Sequence, residues 1–341
     1  MGVKVLWTLI SSALVLPVVA KAHLPFDAGA ACTAIVKSYS ACYSGMSYDS
    51  RTGDVTLSPY TSRVRCSDGL KLSFYDRLER MDFASMLSIP YAVGDTSLPN
   101  KVVNSDGGRL RLDQMFFEVY GGSLAEVQRN LVNVRILNQQ VKFNSKNGAA
   151  AALSSVGVDL MRAVKSDRAV ASYLKPWLTG KIDLARMTFA WRKVAGTDRF
   201  SNHSFGTAID FNNLWATGPV YWLWEVAKKR QAEIERRTGR KPALEKILKT
   251  INERSVKDFK PTTLDPVPRK ILEIFERHGF IWGGKWYHFD TMHFEFRPEF
   301  FKNLRPVCRL LTAEEDTEPL QEINDETSEE MQTLLDHHHF D

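Results

Sequence analysis

SNHSFGTAID, residues 201–210, and YHFDTMHFEF, residues 287–296, are the two stretches on which the reading of this chain turns. The first offers His203 and Asp210, the second Asp290 and His293. Two imidazoles and a carboxylate make three protein ligands, the number a catalytic zinc site uses while leaving a fourth position open to water or substrate. Imidazole nitrogen and carboxylate oxygen both suit that metal. The leftover carboxylate, Asp290, is then placed to move protons. Thr207 to Phe211 alternates, which predicts a short strand delivering Asp210 from one face. His293-Phe294-Glu295-Phe296 alternates too, so His293 and Glu295 share a face and Glu295 can orient the imidazole. On a regular strand Asp290 would face away from His293, so a turn is expected at Asp290-Thr291-Met292.

A lone His followed seven residues later by Asp is a weak signal, and so is one Asp-x-x-His. Together they carry more, and here the chain resembles a known family. SNHSFGTAID is similar to the Ser-x-His-x-x-Gly-x-Ala-x-Asp signature of the LAS-type zinc peptidases, and DTMHFE to their second motif. That group includes D-alanyl-D-alanine carboxypeptidases, dipeptidases of the vancomycin-resistance type and L-alanyl-D-glutamate endolysins. The longer stretches FAWRKVAGTDRFSNHSFGTAIDF (189–211) and FERHGFIWGGKWYHFDTMHFEFRPE (275–299) resemble one bacterial branch, and the likeness runs from about Arg109 to Pro298.

The resemblance implies an α+β fold in which a small antiparallel sheet carries the zinc site and packs against helices. It implies one Zn2+ held by His203, Asp210 and His293, with Asp290 as general base. Arg192 matches the family arginine that steadies the substrate carbonyl as it becomes an oxyanion, and Ser201 the leading serine of the motif. His288 is a rival ligand, or a partner donating to Asp290 or to a substrate carbonyl. Some relatives carry Glu-x-x-His or His-x-His in the second motif. The Asp form is nearer the L-alanyl-D-glutamate branch, so the choice between that bond and a terminal D-alanine stays open. The competing class is a non-catalytic, zinc-stabilised cell-wall-binding domain, against which Asp290 and Arg192 both speak.

The ends point the same way. Lys4, the apolar run Val5 to Ala20 and Ala20-Lys21-Ala22 read as a cleaved signal peptide over residues 1–22. A membrane anchor competes, but the run falls short of the roughly 20 apolar residues a span needs. A periplasmic or secreted location follows, and it permits disulfides. Of the three pairings that Cys32, Cys42, Cys66 and Cys308 allow, the short loop favours Cys32–Cys42, which leaves Cys66–Cys308. Residues 313–341 hold 11 of the 40 acidic residues and no Lys or Arg, and read as a disordered tail. The remainder, with all 45 basic residues, carries +16. A basic body suits an anionic polymer such as peptidoglycan; no nucleic-acid motif appears.

Between the ends, residues 23–105 read as an N-terminal segment stapled by disulfides, and 106–312 as the peptidase domain. Strands are expected in Val55 to Arg65 and Lys71 to Tyr75, and a helix in Asp76 to Leu87. Helices are expected at Asp113–Tyr120, stopped by Gly121, at Leu124–Leu131, capped by Ser123, and at Ala149–Arg162, with strands at Val132–Leu137 and Gln140–Phe143. Asp198 and Arg199 read as a loop pair, and His278 as a polar cap. Further on come a helix at Tyr221–Thr238, an exposed basic insertion at Arg236–Lys260 and an amphipathic helix at Pro266–Arg277. A hairpin of Phe280–Trp282 with Lys285–Tyr287 closes the series.

Overall fold

The structure, a computed structural model, describes residues 26–42, 45–57, 62–94, 104–194, 198–211, 223–243, 246–247, 267–302, 304 and 308. The expected signal peptide, most of the basic insertion and the acidic tail lie outside the described residues. Within them the chain is α+β, with three small antiparallel sheets among helices.

Helix α1 (Ala28–Ser40) begins where the Asp27 carboxylate accepts the Ala30 amide at 3.0 Å, and it buries Cys32, Ile35 and Tyr39 along one face. A three-stranded meander follows: β1 (Met46–Asp49), β2 (Asp54–Leu57) and β3 (Ser62–Arg65), paired Met46↔Leu57 and Asp54↔Arg65. The strand expected at Lys71–Tyr75 does not form. Ser73 caps α2 (Phe74–Glu79) by accepting the Asp76 amide at 3.2 Å, so a helix opens there instead, and Ala84–Leu87 is a separate 3-10 turn.

The disulfides differ from the expected pairing: they are Cys32–Cys66 and Cys42–Cys308. Cys32 lies inside α1 and Cys42 just past its end, and ten residues of helix span about 15 Å, far beyond the reach of one bridge. One bridge therefore ties α1 to the end of the meander. The other ties it to the C-terminal side of the chain. Both fit an oxidising compartment, and no helix among the described residues is long and apolar enough to cross a membrane.

The middle of the chain follows its local signals closely. Helix α3 (Asp113–Tyr120) stops at Gly121, and Ser123 caps α4 (Leu124–Asn130). Strands β4 (Leu131–Ile136) and β5 (Gln139–Asn144) form a hairpin. Asn147 and Gly148 turn through positive φ into α5 (Ala149–Ser166), whose apolar face packs on β4. Nothing in the sequence reading marks α6 (Arg168–Leu178), which Asp167 caps and which carries Pro176 in its last turn.

The site sheet comes last. Strands β6 (Ala208–Asp210), β7 (Phe280–Trp282) and β8 (His293–Phe296) are antiparallel in the order β6-β8-β7. Helix α7 (Leu223–Thr238) lies between β6 and β7 in the chain, and α8 (Arg269–Arg277) packs against β7. The expected hairpin of Phe280–Trp282 with Lys285–Tyr287 is not made: β7 pairs with β8, Phe280 opposite Phe296. Two forces account for this. Lys285 is drawn out of the sheet to the buried Glu276 carboxylate at 2.5 Å. Meanwhile Phe294 of β8 stacks on Phe275 of α8, ring centroids 4.0 Å apart, and each such buried ring is worth about 1.5–3 kcal/mol.

Candidate metal centre

Register does most of the assembly. Strand β6 is paired so that Asp210 lies opposite His293. His203 is delivered by a 3-10 turn, Asn202–Phe205, which Ser201 opens by accepting the His203 amide at 3.3 Å. Gly206 closes that turn in the left-handed region at φ 65°, where a Cβ would meet Leu131 at 2.5 Å. The turn expected at Asp290-Thr291-Met292 is present, with the His293 amide donating to the Asp290 carbonyl at 3.2 Å. The loop folds back so that the Asp290 amide reaches the Gly283 carbonyl at 3.0 Å.

His203 Nε2, His293 Nδ1 and Asp210 Oδ1 form a nearly equilateral triangle with edges of 3.2, 3.1 and 3.1 Å. It is the one candidate metal-holding group among the described residues. Two ligands held 2.0–2.1 Å from a tetrahedral zinc would lie about 3.3 Å apart, so the triangle fits that ion. The remaining ring nitrogens reinforce this. His203 Nδ1 faces the Thr188 carbonyl at 2.5 Å and His293 Nε2 faces the Glu295 carboxylate at 3.1 Å. Carbonyl and carboxylate are acceptors only, so each ring donates outward, and its inner nitrogen is the one left to meet a cation. The three inner atoms converge on one point, which suits a proton shared among them or a metal ion that replaces it.

Glu295 is itself held in a buried chain. Asn202 Nδ2 donates to it, and Arg297 bridges it at 3.1 Å and Glu299 at 2.5 Å. Tyr39 of α1 closes the chain by donating to Glu299 at 3.1 Å. The charges respond to one another. Burial raises the Glu295 carboxyl, but its hydrogen bond to His293 and the Arg297 guanidinium bring it down to about 2. Burial likewise opposes charge on the His293 ring, yet the Asp210 and Glu295 carboxylates push it up to about 10. Asp210 is held well below the usual carboxylate range: burial works against this, and His203 and His293 outweigh it. The centre therefore binds positive charge strongly. For Asp290, burial and the nearby Asp210 carboxylate push the carboxyl up to about 6, and its Oδ1 is buried without a hydrogen-bond partner.

A pocket of about 290 Å3 opens over the triangle. Asp290, Arg192 and Ser201 line it along with the three candidate ligands. Arg192 is exposed, and its backbone is pinned by Ser204 Oγ at 2.9 Å. His288 is not part of the lining; its Nδ1 lies 2.5 Å from the buried carboxylate of Asp106. The expected Asp198–Arg199 pair is also absent. Asp198 bonds Lys193 at 2.7 Å, and Arg199 donates to the Arg111 carbonyl at 3.0 Å. The His278 ring meets Asp159 of α5 at 2.9 Å, so it links two helices besides ending α8.

Residues 195–296 match the family model described as D-alanyl-D-alanine carboxypeptidase. The match supports a metallopeptidase. It spans His203, Asp210, Asp290 and His293, and it begins just past Arg192. Neither a curated protein nor a solved structure matches the chain. Several lining residues lie outside the matched segment and outside the motifs, namely Leu78 and Glu79 of α2, Gly108, Arg109 and Arg111. The only sequence signal for them is that Gly107-Gly108-Arg109 stands where the family likeness begins.

Proposed function

We propose that this chain is an exported, zinc-dependent peptidase of the LAS type that hydrolyses a peptide bond in peptidoglycan stem peptides. The observation that carries the reading is the triangle of three converging inner atoms beside the buried carboxylate of Asp290. The family match and the basic body support the substrate class.

His203 Nε2, His293 Nδ1 and Asp210 Oδ1 would hold one zinc ion. Bound there, zinc supplies Lewis acidity toward the scissile carbonyl and its attacking water. Asp290, whose carboxylate lines the pocket, accepts the proton of the attacking water as the carbon–oxygen bond forms. It returns that proton to the amine nitrogen as the carbon–nitrogen bond breaks. Arg192 lines the same pocket with its guanidinium unpaired among the described residues, and it takes up charge developing on the carbonyl oxygen. Thr188 and Glu295 keep the two imidazoles in the ligating tautomer. The buried walls, Trp286 among them, exclude bulk water.

Incubating the zinc-loaded chain with purified muropeptides, with and without chelator, tests this reading. Mass spectrometry should find release of D-alanine or of a stem dipeptide that the chelator abolishes. Tight zinc binding with no cleavage of any stem peptide would point instead to the non-catalytic wall-binding alternative.

A further inference from the structure

Arginines 109, 111, 192 and 199 all line the pocket over the metal centre. Arg111 is consumed by the fold: it binds Asp113 at 2.9 Å, the Asn202 side chain at 2.6 Å and the Phe200 carbonyl. Arg199 donates to the Arg111 carbonyl. Arg192 serves the carbonyl oxygen in the proposed reaction. Arg109 remains. Its guanidinium lies over the Trp286 ring, 5.9 Å from the centroid. Its Nε is buried and without a hydrogen bond, and among the described residues no ion pair or hydrogen bond uses this side chain. A guanidinium at the lining of a pocket, with no partner among the described residues to neutralise it, is one that an anionic ligand would satisfy.

The backbone beneath Arg109 is built to hold it. Asp106, fully buried, accepts the His288 amide at 2.8 Å, so the turn carrying Arg109 is tied to the loop carrying Asp290. Arg297 donates to the carbonyls of Gly108 and Leu110, both at 3.0 Å. Gly108 lets Trp286 seat against the chain, since a Cβ there would fall 2.2 Å from its ring.

We propose that Arg109 is the specificity-determining residue of this pocket, binding a carboxylate of the substrate peptide through its guanidinium. A carboxylate fits better than a doubly charged phosphate, because Glu79, Asp210, Asp290 and Glu295 share the lining. The inference rests on the peptidase reading and deepens it. Two sources share the chemistry: the free C-terminus of a stem peptide, or the carboxylate of an acidic residue within it. Arg109 lies outside the segment that matches the carboxypeptidase family, so this recognition belongs to the rest of the chain.

The test uses the zinc-loaded full chain and three matched stem peptides: the free acid, its C-terminal amide, and a form amidated at the internal acidic residue. Wild type should lose about 10- to 100-fold in kcat/KM on one of the two amidated forms, and the form affected identifies the source. Arg109→Gln should use that form and the free acid equally well, and Arg109→Lys should restore part of the preference. Equal losses on all three peptides would mean that Arg109 acts through Asp290 or the fold, and would overturn the proposal. So would a wild type indifferent to both amidations. Calorimetric titration of the metal-free protein with the same three peptides decides independently of turnover. Wild type should bind the free acid about 10- to 100-fold more tightly than the affected amide, and Arg109→Gln should not, at unchanged melting temperature. If wild type cleaves nothing, the peptidase reading fails while this titration still judges Arg109.

Discussion

Replacing Glu295 by Gln tests how the metal centre is supported. The side chain keeps its size, so no cavity opens, but one buried charge is removed between two groups that depend on it. Glu295 is 2 % exposed, meets His293 Nε2 at 3.1 Å and Arg297 at 3.1 Å, and also accepts from Asn202. Each charge-assisted hydrogen bond of this kind contributes about 1.5–3 kcal/mol. An amide oxygen can still accept from His293, so the full loss falls mainly on Arg297, which retains Glu299. Together these give an expected destabilisation of about 2–4 kcal/mol. The second effect is on the metal: His293 loses the anion that fixes its tautomer and raises its basicity, and zinc affinity should fall about 10- to 100-fold. Denaturant unfolding of the metal-free protein reads the first quantity, and competition with a chromophoric chelator reads the second. Unchanged zinc affinity together with a stability change under about 0.5 kcal/mol would show that Glu295 is a bystander, and the argument from the converging inner atoms would lose its support.

Other outcomes follow from the same geometry. Asp290→Ala should lower kcat by about 10²–10⁴ while zinc stays bound, as the proposed proton-transfer role outside the ligand set requires; retained wild-type turnover would remove it from the mechanism. Peptide mapping under non-reducing conditions should recover Cys32 linked to Cys66 and Cys42 to Cys308, and the Cys32→Ser/Cys66→Ser double variant should lose about 2–4 kcal/mol in denaturant unfolding. Asp82 is a pH-dependent anchor of the N-terminal segment. Burial opposes its ionisation, but hydrogen bonds from Ser85, the Asp68 amide and Ser67 hold its pKa below the usual value. Its contribution is therefore present above about pH 4 and lost as pH falls through the lowered folded-state pKa. Thermal unfolding should show Asp82→Asn losing part of the wild type's drop in melting temperature below pH 4, and parallel curves would contradict this.

The candidate metal centre was legible because its signals are local. Asp210 comes seven positions after His203, and His293 three positions after Asp290. Period-2 alternation gave both strands and the shared face of His293 and Glu295. Helices α3 and α4 carried their own stops and caps in Gly121 and Ser123. What escaped depends on contacts between distant parts of the chain. Pairing Cys32 with Cys42 required them to be close, and α1, whose apolar residues carry no strong pattern, holds them apart. The run Phe280-Ile281-Trp282 is apolar throughout, so period could not name its partner; the stacking of Phe294 on Phe275 did. Arg109 stands 94 residues before His203, and its approach to the pocket is set by Asp106, Arg297 and Trp286, none of which belongs to the two short motifs. No local pattern marks Arg297 and Glu299 as buried charges; their burial rests on the Tyr39 side chain of the distant α1.

The claim beneath all of this is that His203, Asp210 and His293 grip one divalent cation. Elemental analysis of the purified chain, paired with that of His203→Ala, measures it most directly. One zinc per wild-type chain and essentially none in the variant, with both still folded by circular dichroism, is the predicted result. A wild-type chain that is metal-free yet cleaves stem peptides, or a variant that keeps its full complement of zinc, would contradict the account.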